Sequence, residues 1–318
     1  MHKYIIHRVA LAVPGLIGLT VFMFVVLRVI IPVDAIDIAS AATGYVDPQR
    51  DAQLRAEFGL TGPLPIQYLR WAGNAARGNF GKSFFTGQSV THEMLLRIPV
   101  SLEIGFGALL ITVVLAIPIG MVSAAKQDSL IDYVARGGAI LFYAIPGFWL
   151  ATLTLVFGSI LFNWAPSIEY RRVWEDPAAN LTHVWLPIAL LGLHPVGTMT
   201  RLVRTQVLEV MRQDYVRTAK AKGLATKDVY FRHILRNAAL PIVTVLGLQI
   251  PTILSGTVIF EQIFLIPGVG RYLLDSLLRL DLWVVMATNV FFGFVLVTSN
   301  LIVDSSYGFI DPRVRLSR

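Results

Sequence analysis

Long apolar runs alternate with shorter polar stretches along the 318-residue chain. A helix that crosses a bilayer needs about 20 mostly apolar residues, and six runs approach or exceed that length. They lie near Val9–Ile31, Ile98–Ala124, Gly137–Phe162, Val184–Met199, Ala238–Ile259 and Trp283–Val303. The pattern predicts an all-α membrane protein with six transmembrane helices.

Two of these runs contain helix breakers. The fourth and shortest holds two prolines and two glycines between Pro187 and Gly197, and such breaks are tolerated where neighbouring helices or a cavity satisfy the freed backbone groups. The third holds Pro146 and Trp149 in a Pro-Gly-Phe-Trp sequence. We interpret that sequence as a kink with local packing and, as the weaker alternative, as a constriction of a pathway.

Charge is unevenly shared between the polar segments. If the N-terminus is cytoplasmic, the segments 1–8, 124–136, 201–236 and 304–318 share its side, with sixteen Lys and Arg against seven Asp and Glu. The opposite segments hold ten basic residues against twelve acidic ones. Because Lys and Arg concentrate in cytoplasmic loops, both termini are predicted to be cytoplasmic. The net charge of +7 then reflects membrane topology, and no nucleic-acid partner is expected.

Composition also favours a lipid environment. Only 15% of the residues are charged and 55% are hydrophobic, whereas soluble domains have about 25% charged residues. The chain has no cysteine, which excludes disulfides, thiolate metal sites and a cysteine nucleophile. The six histidines form no close i,i+4 pair, so no metal site is predicted.

These patterns divide the chain into four segments. We predict an N-terminal transmembrane helix in 1–31, an external helical insertion in 32–97, a transmembrane core in 98–304 and a cytoplasmic tail in 305–318. Short amphipathic helices are predicted within the insertion, near Arg50–Glu57 and Ile66–Ala75.

The segment 201–236 carries a helical pattern outside the apolar runs. Four of its residues recur at spacings of three and four, as on one face of a helix: Leu208, Met211, Tyr215 and Ala219. Gly223 is predicted to end that helix and Thr226 to cap a second one. A basic segment of this kind either adheres to anionic lipid headgroups or docks a rigid partner. The ordered helix–glycine–helix pattern favours docking.

The same segment resembles a known family. Tyr215–Leu224 (YVRTAKAKGL) and Arg232–Pro241 (RHILRNAALP) are similar to the cytoplasmic signature loop of ABC importer permeases. The version is that of the first, or B-type, permease subunit of the oligopeptide/dipeptide/nickel group. Further motifs extend the resemblance over nearly the whole chain: Met1–Pro14, Phe58–Leu60, Gly78–Ser83, Glu261–Arg271 and Asp311–Arg315. The chain departs from the family at Pro32-Val33-Asp34, where Gly-Asp-Pro is usual, and at Asn79, where Asp is common.

The resemblance implies the ABC type I importer permease fold and a multi-pass subunit of a bacterial or archaeal inner membrane. Such a subunit has no catalytic residues, metal or cofactor of its own, and forms half of a translocation pathway for di- or oligopeptides. The implied partners are a second homologous permease chain, two cytoplasmic ATPase subunits that bind ATP and Mg, an extracytoplasmic solute-binding protein and membrane lipid. Oligosaccharide, glutathione, opine and nickel are alternative solutes of the same importer type.

The resemblance also implies which residues couple the chain to the ATPase, with Gly223 as a hinge. They are Tyr215, Arg217, Thr218, Ala219, Ala221, Lys222, Gly223, Leu224 and Ala225. A second implied motif, at an external turn, comprises Glu261, Pro267, Gly268 and Gly270.

Pathway residues are less clearly marked in the sequence. Glu103 is an ionisable residue within the second run, so it either lines the pathway or pairs with a neighbouring helix. Pro146 and Trp149 are the other candidates. Gly81-Lys82-Ser83 looks like the end of a phosphate loop, but Ala76 stands where such a loop needs a glycine. ATP is therefore expected on another chain.

Two other function classes compete with this interpretation. A secondary transporter driven by an ion gradient usually carries charged or unwound segments in mid-membrane, and the deep charges here are few. A membrane-embedded enzyme would need clustered His, Asp or Glu within the apolar runs, and the sequence shows no such cluster.

Overall fold

The computed structural model of the chain describes residues 2–31, 36–38, 48–167 and 169–310. Over these residues the regular structure is helical, with one isolated bridge between Lys82 and Ser89. The helices are α1 (His2–Val25, with a π-helical continuation Val26–Ile30), α2 (Pro48–Glu57), α3 (Leu64–Ala75), α4 (Val90–Ala125), α5 (Leu130–Ala144), α6 (Gly147–Phe162), α7 (Pro177–Met211), α8 (Asp214–Ala221), α9 (Thr226–Ile263, π-helical at Val229–Leu235), α10 (Val269–Leu278) and α11 (Leu282–Ile310).

Five of these helices are long and apolar enough to cross a membrane. They are Val13–Ile30 of α1, then α4, α7, α9, and Leu282–Ser306 of α11. Helices α5 and α6 form a sixth candidate, bent by 88° at the break between them. The predicted all-α class is confirmed, and the six predicted spans correspond to these five helices and the bent pair.

The third predicted span is not one straight helix. Ile145 is extended, with φ −89° and ψ 121°, and Pro146 also lies outside the helical region at ψ 128°. A residue that precedes proline is disfavoured in the α region, so α5 ends before Pro146 and α6 begins at Gly147. The kink predicted from this sequence is present, and it is large enough to separate two helices.

The fourth predicted span is longer than expected. Helix α7 runs through both of its internal prolines, and it begins where the Asp176 carboxylate accepts the Ala179 amide at 3.0 Å. Its glycines permit close packing and do not break the helix. A Cβ at Gly192 would lie 2.6 Å from the Ala108 carbonyl oxygen of α4, and one at Gly197 would overlap the Ala139 carbonyl of α5.

The chain forms two compact units. The first comprises the described residues within 1–102 and 265–297, and the second comprises those within 103–264 and 298–310. Helices α4 and α11 contribute to both. The four predicted segments concern membrane sides and stay a prediction.

The first unit contains the insertion and an aromatic core. The predicted helices of the insertion are confirmed as α2 and α3. The indole rings of Trp71 and Trp283 stack with centroids 6.3 Å apart. The Ser83 hydroxyl donates to the buried carboxylate of Asp281 at 2.6 Å, and the Phe84 amide donates to the same oxygen at 3.1 Å. Burial raises the pKa of Asp281, and the hydrogen bond from Ser83 opposes that shift.

The second unit contains helices α5 to α9. Its core gathers small and branched side chains from α4, α7, α8 and α9, among them Ala116, Val203, Val207, Val216, Val229, Ile234 and Ala238. Each of these side chains is fully buried. Helix α9 also meets the C-terminal part of α11, where the Ser299 hydroxyl donates to the Gly247 carbonyl. This core anchors the segment between α7 and α9.

Candidate functional site

Helix α8 lies between two of the candidate spans. The segment predicted as two helices consists of three helical pieces: the last turns of α7, the short α8 and the first turns of α9. The chain leaves the helical conformation at Gln213, where ψ is 146°, and re-enters it at Asp214. The predicted loop is therefore reduced to short connections on either side of α8.

The break at Gln213 changes which face of α8 is buried. Val216 is fully buried and Ala219 is 6% exposed, whereas Tyr215 is 44% exposed. Of the residues predicted to share one helix face, Ala219 is therefore buried and Tyr215 is exposed. The spacing of Leu208, Met211 and Tyr215 assumed one continuous helix, but the first two residues belong to α7 and Tyr215 to α8.

Gly223 ends α8 in a defined turn. Its φ is +75°, in the left-handed region that favours glycine. The Gly223 amide donates to the Lys220 carbonyl at 3.0 Å, and the Leu224 amide donates to the Ala219 carbonyl at 3.4 Å. These two bonds form a Schellman motif, which satisfies carbonyls at the helix end. The predicted end of the helix at Gly223 is confirmed.

Thr226 does not cap the helix that follows. It is the first residue of α9, and Ala225 occupies the cap position with ψ 139° and no side-chain hydrogen bond. The start of α9 is held instead by packing, because Val229 and Ile234 in its π-helical part are fully buried. The predicted N-cap was wrong because the helix begins at Thr226, one residue earlier than a cap at that threonine would require.

The outer face of α8 is polar and open. Arg217 and Asp214 have side chains 79% and 99% exposed and lie 3.9 Å apart, an exposed pair of a kind that contributes at most about 1 kcal/mol. Eight of the nine predicted coupling residues are exposed: Tyr215, Arg217, Thr218, Ala221, Lys222, Gly223, Leu224 and Ala225. Leu224, 45% exposed, adds an apolar contact point at the end of the helix. The face has both charge and apolar area to offer a partner.

A buried charge cluster lies in the same unit and was not predicted. The Asp132 side chain of α5 is fully buried, and the Arg204 guanidinium of α7 binds both of its oxygens at 2.8 Å. The Ser123 hydroxyl of α4 donates to Oδ1 at 2.5 Å, and the Asp128 amide donates to Oδ2 at 3.0 Å. Asp132 and Arg204 stand in the predicted polar segments 124–136 and 201–236, outside the apolar runs, so the sequence carried no signal for this cluster.

Glu103 is half-buried on α4 and bonded to a loop. It accepts a hydrogen bond of 3.0 Å from the Tyr170 hydroxyl, in the segment between α6 and α7. Burial and the neighbouring Glu103 raise the pKa of Tyr170. The predicted alternative of a partner on a neighbouring helix was therefore wrong in its detail, because the partner lies in a loop. Whether Glu103 lines a pathway stays a prediction.

The other predicted residues fall into two places. Pro146 and Trp149 are exposed at the break between α5 and α6, with Trp149 50% exposed, and their pathway role stays a prediction. Glu261 is fully buried near the end of α9 and accepts the Thr257 hydroxyl at 2.8 Å.

The remainder of the external-turn motif belongs to the first unit. Pro267 is half-buried, while Gly268 and Gly270 are buried at the start of α10. The Val269 amide donates to the Ser101 hydroxyl at 2.8 Å. The motif therefore builds the turn before α10.

Comparison with known proteins identifies relatives of the whole chain. Residues 116–316 match the family model described as "Binding-protein-dependent transport system inner membrane component". The chain is 35% identical to the di/tripeptide transport system permease protein DppB of Pseudomonas aeruginosa (strain UCBPP-PA14), with 100% of both chains covered. It is also 35% identical to the dipeptide transport system permease protein DppB of Escherichia coli (strain K12) and to a putative peptide transport system permease protein of Brucella abortus (strain 2308). Each of these two alignments covers 99% of both chains.

Two solved ABC transporters have a similar fold. The inward-facing MetNI methionine ABC transporter matches with a TM-score of 0.50 at 13% identity, over 67% of this chain and 95% of that chain. A crystal structure of an amino acid ABC transporter with histidines matches with the same TM-score and identity, over 67% and 92%. At this identity the likeness shows a shared fold over about two thirds of the chain.

Proposed function

This chain belongs to the family of binding-protein-dependent transport system inner membrane components, and from that premise we propose that it is the permease subunit of an ATP-driven peptide importer. The observation that carries the proposal is its 35% identity, over the full length, to chains named as dipeptide and di/tripeptide permeases. The subunit supplies half of a translocation pathway and no catalytic residue. Its fold is that of an ABC type I importer permease.

The proposed assembly follows from this role. A second homologous permease chain completes the pathway, two cytoplasmic ATPase subunits bind ATP and Mg, and an extracytoplasmic solute-binding protein delivers the solute. The subunit resides in the inner membrane of a bacterium or archaeon with both termini in the cytoplasm. The excess of Lys and Arg in segments such as 201–236 supports that orientation.

Coupling to the ATPase takes place at α8. Val216 and Ala219 anchor the helix in the core, Tyr215 and Arg217 are exposed on it, and Leu224 is exposed just beyond its end. A short helix that is packed on one side and open on the other can move with its spans and still bind a partner. Gly223 fixes the direction in which the chain leaves this helix.

Di- and oligopeptides are the proposed solutes, because the relatives that match over the full length are named for peptides. Oligosaccharide, glutathione, opine and nickel are the alternatives within the same importer type. An ion-gradient-driven transporter is the alternative outside it.

Transport by the complete complex in proteoliposomes tests this proposal. With ATP on the side of the ATPases and solute-binding protein on the other, a labelled dipeptide is expected to accumulate inside vesicles that face the appropriate way. Accumulation should persist when ionophores collapse ion gradients at constant ATP, and should stop with an ATPase subunit unable to hydrolyse ATP. Uptake that ionophores abolish would contradict the proposal and favour a secondary transporter. Competition by unlabelled glutathione, oligosaccharide, opine or Ni²⁺ separates the alternative solutes.

A further inference from the structure

A single buried carboxylate joins three helices of the second unit. Asp132 stands in the first turn of α5 and is fully buried. It accepts hydrogen bonds from Ser123 of α4, from the Asp128 amide in the turn between α4 and α5, and from Arg204 of α7. Each carboxylate oxygen therefore has two partners.

The geometry of this cluster fixes direction as well as distance. The Arg204 Nε and Nη2 atoms each lie 2.8 Å from a different oxygen of Asp132, which is the bidentate arrangement of a guanidinium and a carboxylate. Such a pair holds two helices in one relative orientation, whereas apolar contacts allow them to slide. Separating Arg204 from Asp132 would leave a buried charge without its partner, which costs free energy. The helices that carry them are therefore expected to move together and not to slide past each other.

The cluster is also connected to α8. Arg204 lies between Val203 and Val207 on α7, and both valines are fully buried in the core that also receives Val216 of α8. Helix α7 ends at Met211, two turns beyond Arg204, and leads directly into α8. A displacement of α8 therefore reaches α7 close to the level of the carboxylate.

We propose that Asp132, Arg204 and Ser123 are positioning residues for energy coupling. They make α7 and the α4–α5 turn move as one body, so that motion imposed on α8 is passed to the spans and is not lost between them. This role rests on the proposed function of the chain as an importer permease. If the cluster only stabilised the fold, any contact that holds the same helices together could replace it without changing the uptake per ATP hydrolysed.

The decisive variant replaces the pair by apolar residues of similar size, Asp132→Leu with Arg204→Met. Such replacements of buried ion pairs often preserve stability, so this double variant is expected to fold and to co-purify with the ATPase subunits. It lacks the directional bonds, however. In proteoliposomes of the complete complex, dipeptide taken up per ATP hydrolysed is expected to fall by about tenfold, while ATP hydrolysis continues.

Two further variants complete the experiment. Arg204→Lys keeps the charge but not the bidentate geometry, and is expected to lower the same ratio. Arg136→Ala is the matched control, because this guanidinium lies 3.8 Å from Asp132 with a side chain 43% exposed, and it should leave the ratio within about twofold. Should the double variant fail to assemble, Arg204→Lys alone decides.

The outcomes separate this proposal from the function on which it rests. Suppose that the wild-type complex shows ATP-driven uptake. If the double apolar variant or Arg204→Lys then takes up as much dipeptide per ATP hydrolysed as the wild type, the positioning role alone is overturned. A wild-type complex without ATP-driven uptake would overturn the proposed function and the positioning role together.

Discussion

Replacing Gly223 with valine or proline is expected to abolish most ATP-driven uptake. Gly223 has φ +75°, where an L side chain costs roughly 1–2 kcal/mol, equal to a population change of about 5- to 30-fold. Proline costs more, because it cannot adopt this φ and has no amide to donate to Lys220. The defect should appear both in uptake and in co-purification with the ATPase subunits.

The effect at Gly223 comes from the backbone and not from crowding. A Cβ placed there would meet nothing within 4 Å, so the size of the side chain is not what matters. Gly223→Asn is the matched control, since asparagine tolerates the left-handed conformation, and it should retain most uptake. If the valine variant assembles and transports like the wild type, Gly223 has no part in coupling.

Introducing a charge at Val216 is expected to detach α8 from the core. Val216 is fully buried among apolar side chains, and an unpaired buried carboxylate costs at least about 3 kcal/mol. Val216→Asp should therefore lower the thermal stability of the purified chain and prevent assembly with the ATPase subunits. Thermal unfolding and co-purification measure the two effects.

The neighbouring residue provides the control for that variant. Tyr215, next to Val216 on α8, is 44% exposed, so Tyr215→Asp should leave the thermal stability of the chain nearly unchanged while weakening assembly with the ATPase. The reverse result, with Tyr215→Asp unstable and Val216→Asp tolerated, would show that the buried face of α8 has been assigned incorrectly.

The spans were predictable from the sequence because each follows from a continuous apolar run, and the family was predictable because several motifs occur in order along the chain. Five or six apolar helices follow from run length alone, and the helices α2 and α3 follow from amphipathic spacing within the insertion. Gly223 was predictable because only a few residue types end a helix in the left-handed conformation. The motifs that resembled an ABC importer permease pointed to the family that the comparisons identify.

Which residues of α8 are buried was not predictable, because no proline or glycine in the sequence marks the helix break at Gln213 that decides it. Arg212 and Gln213 are compatible with a helix, so the spacing from Leu208 to Ala219 reads as one continuous face. The structure interrupts that face at Gln213 and buries Val216 in place of Tyr215. Packing against the core, rather than local preference, decides this conformation.

Long-range pairs were equally hidden. Asp132 and Arg204 are 72 positions apart, and Glu103 and Tyr170 are 67 apart. The sequence shows that ionisable residues stand in or near apolar runs, but it does not show which distant residue forms the ion pair or hydrogen bond with each of them. The glycines of α7 illustrate the same limit, because Gly192 and Gly197 were interpreted as breaks and prove to be points of close helix packing.

Site-specific photo-cross-linking tests the coupling role of α8 most directly. A photoreactive side chain at Arg217, which is 79% exposed on α8, is compared with one at Glu169, which is 70% exposed between α6 and α7. In the transport-active complex, the position of Arg217 is predicted to cross-link to the ATPase subunit and that of Glu169 is predicted not to. An active complex in which Arg217 gives no ATPase cross-link, or in which Glu169 gives one, would contradict the assignment of α8 as the coupling helix.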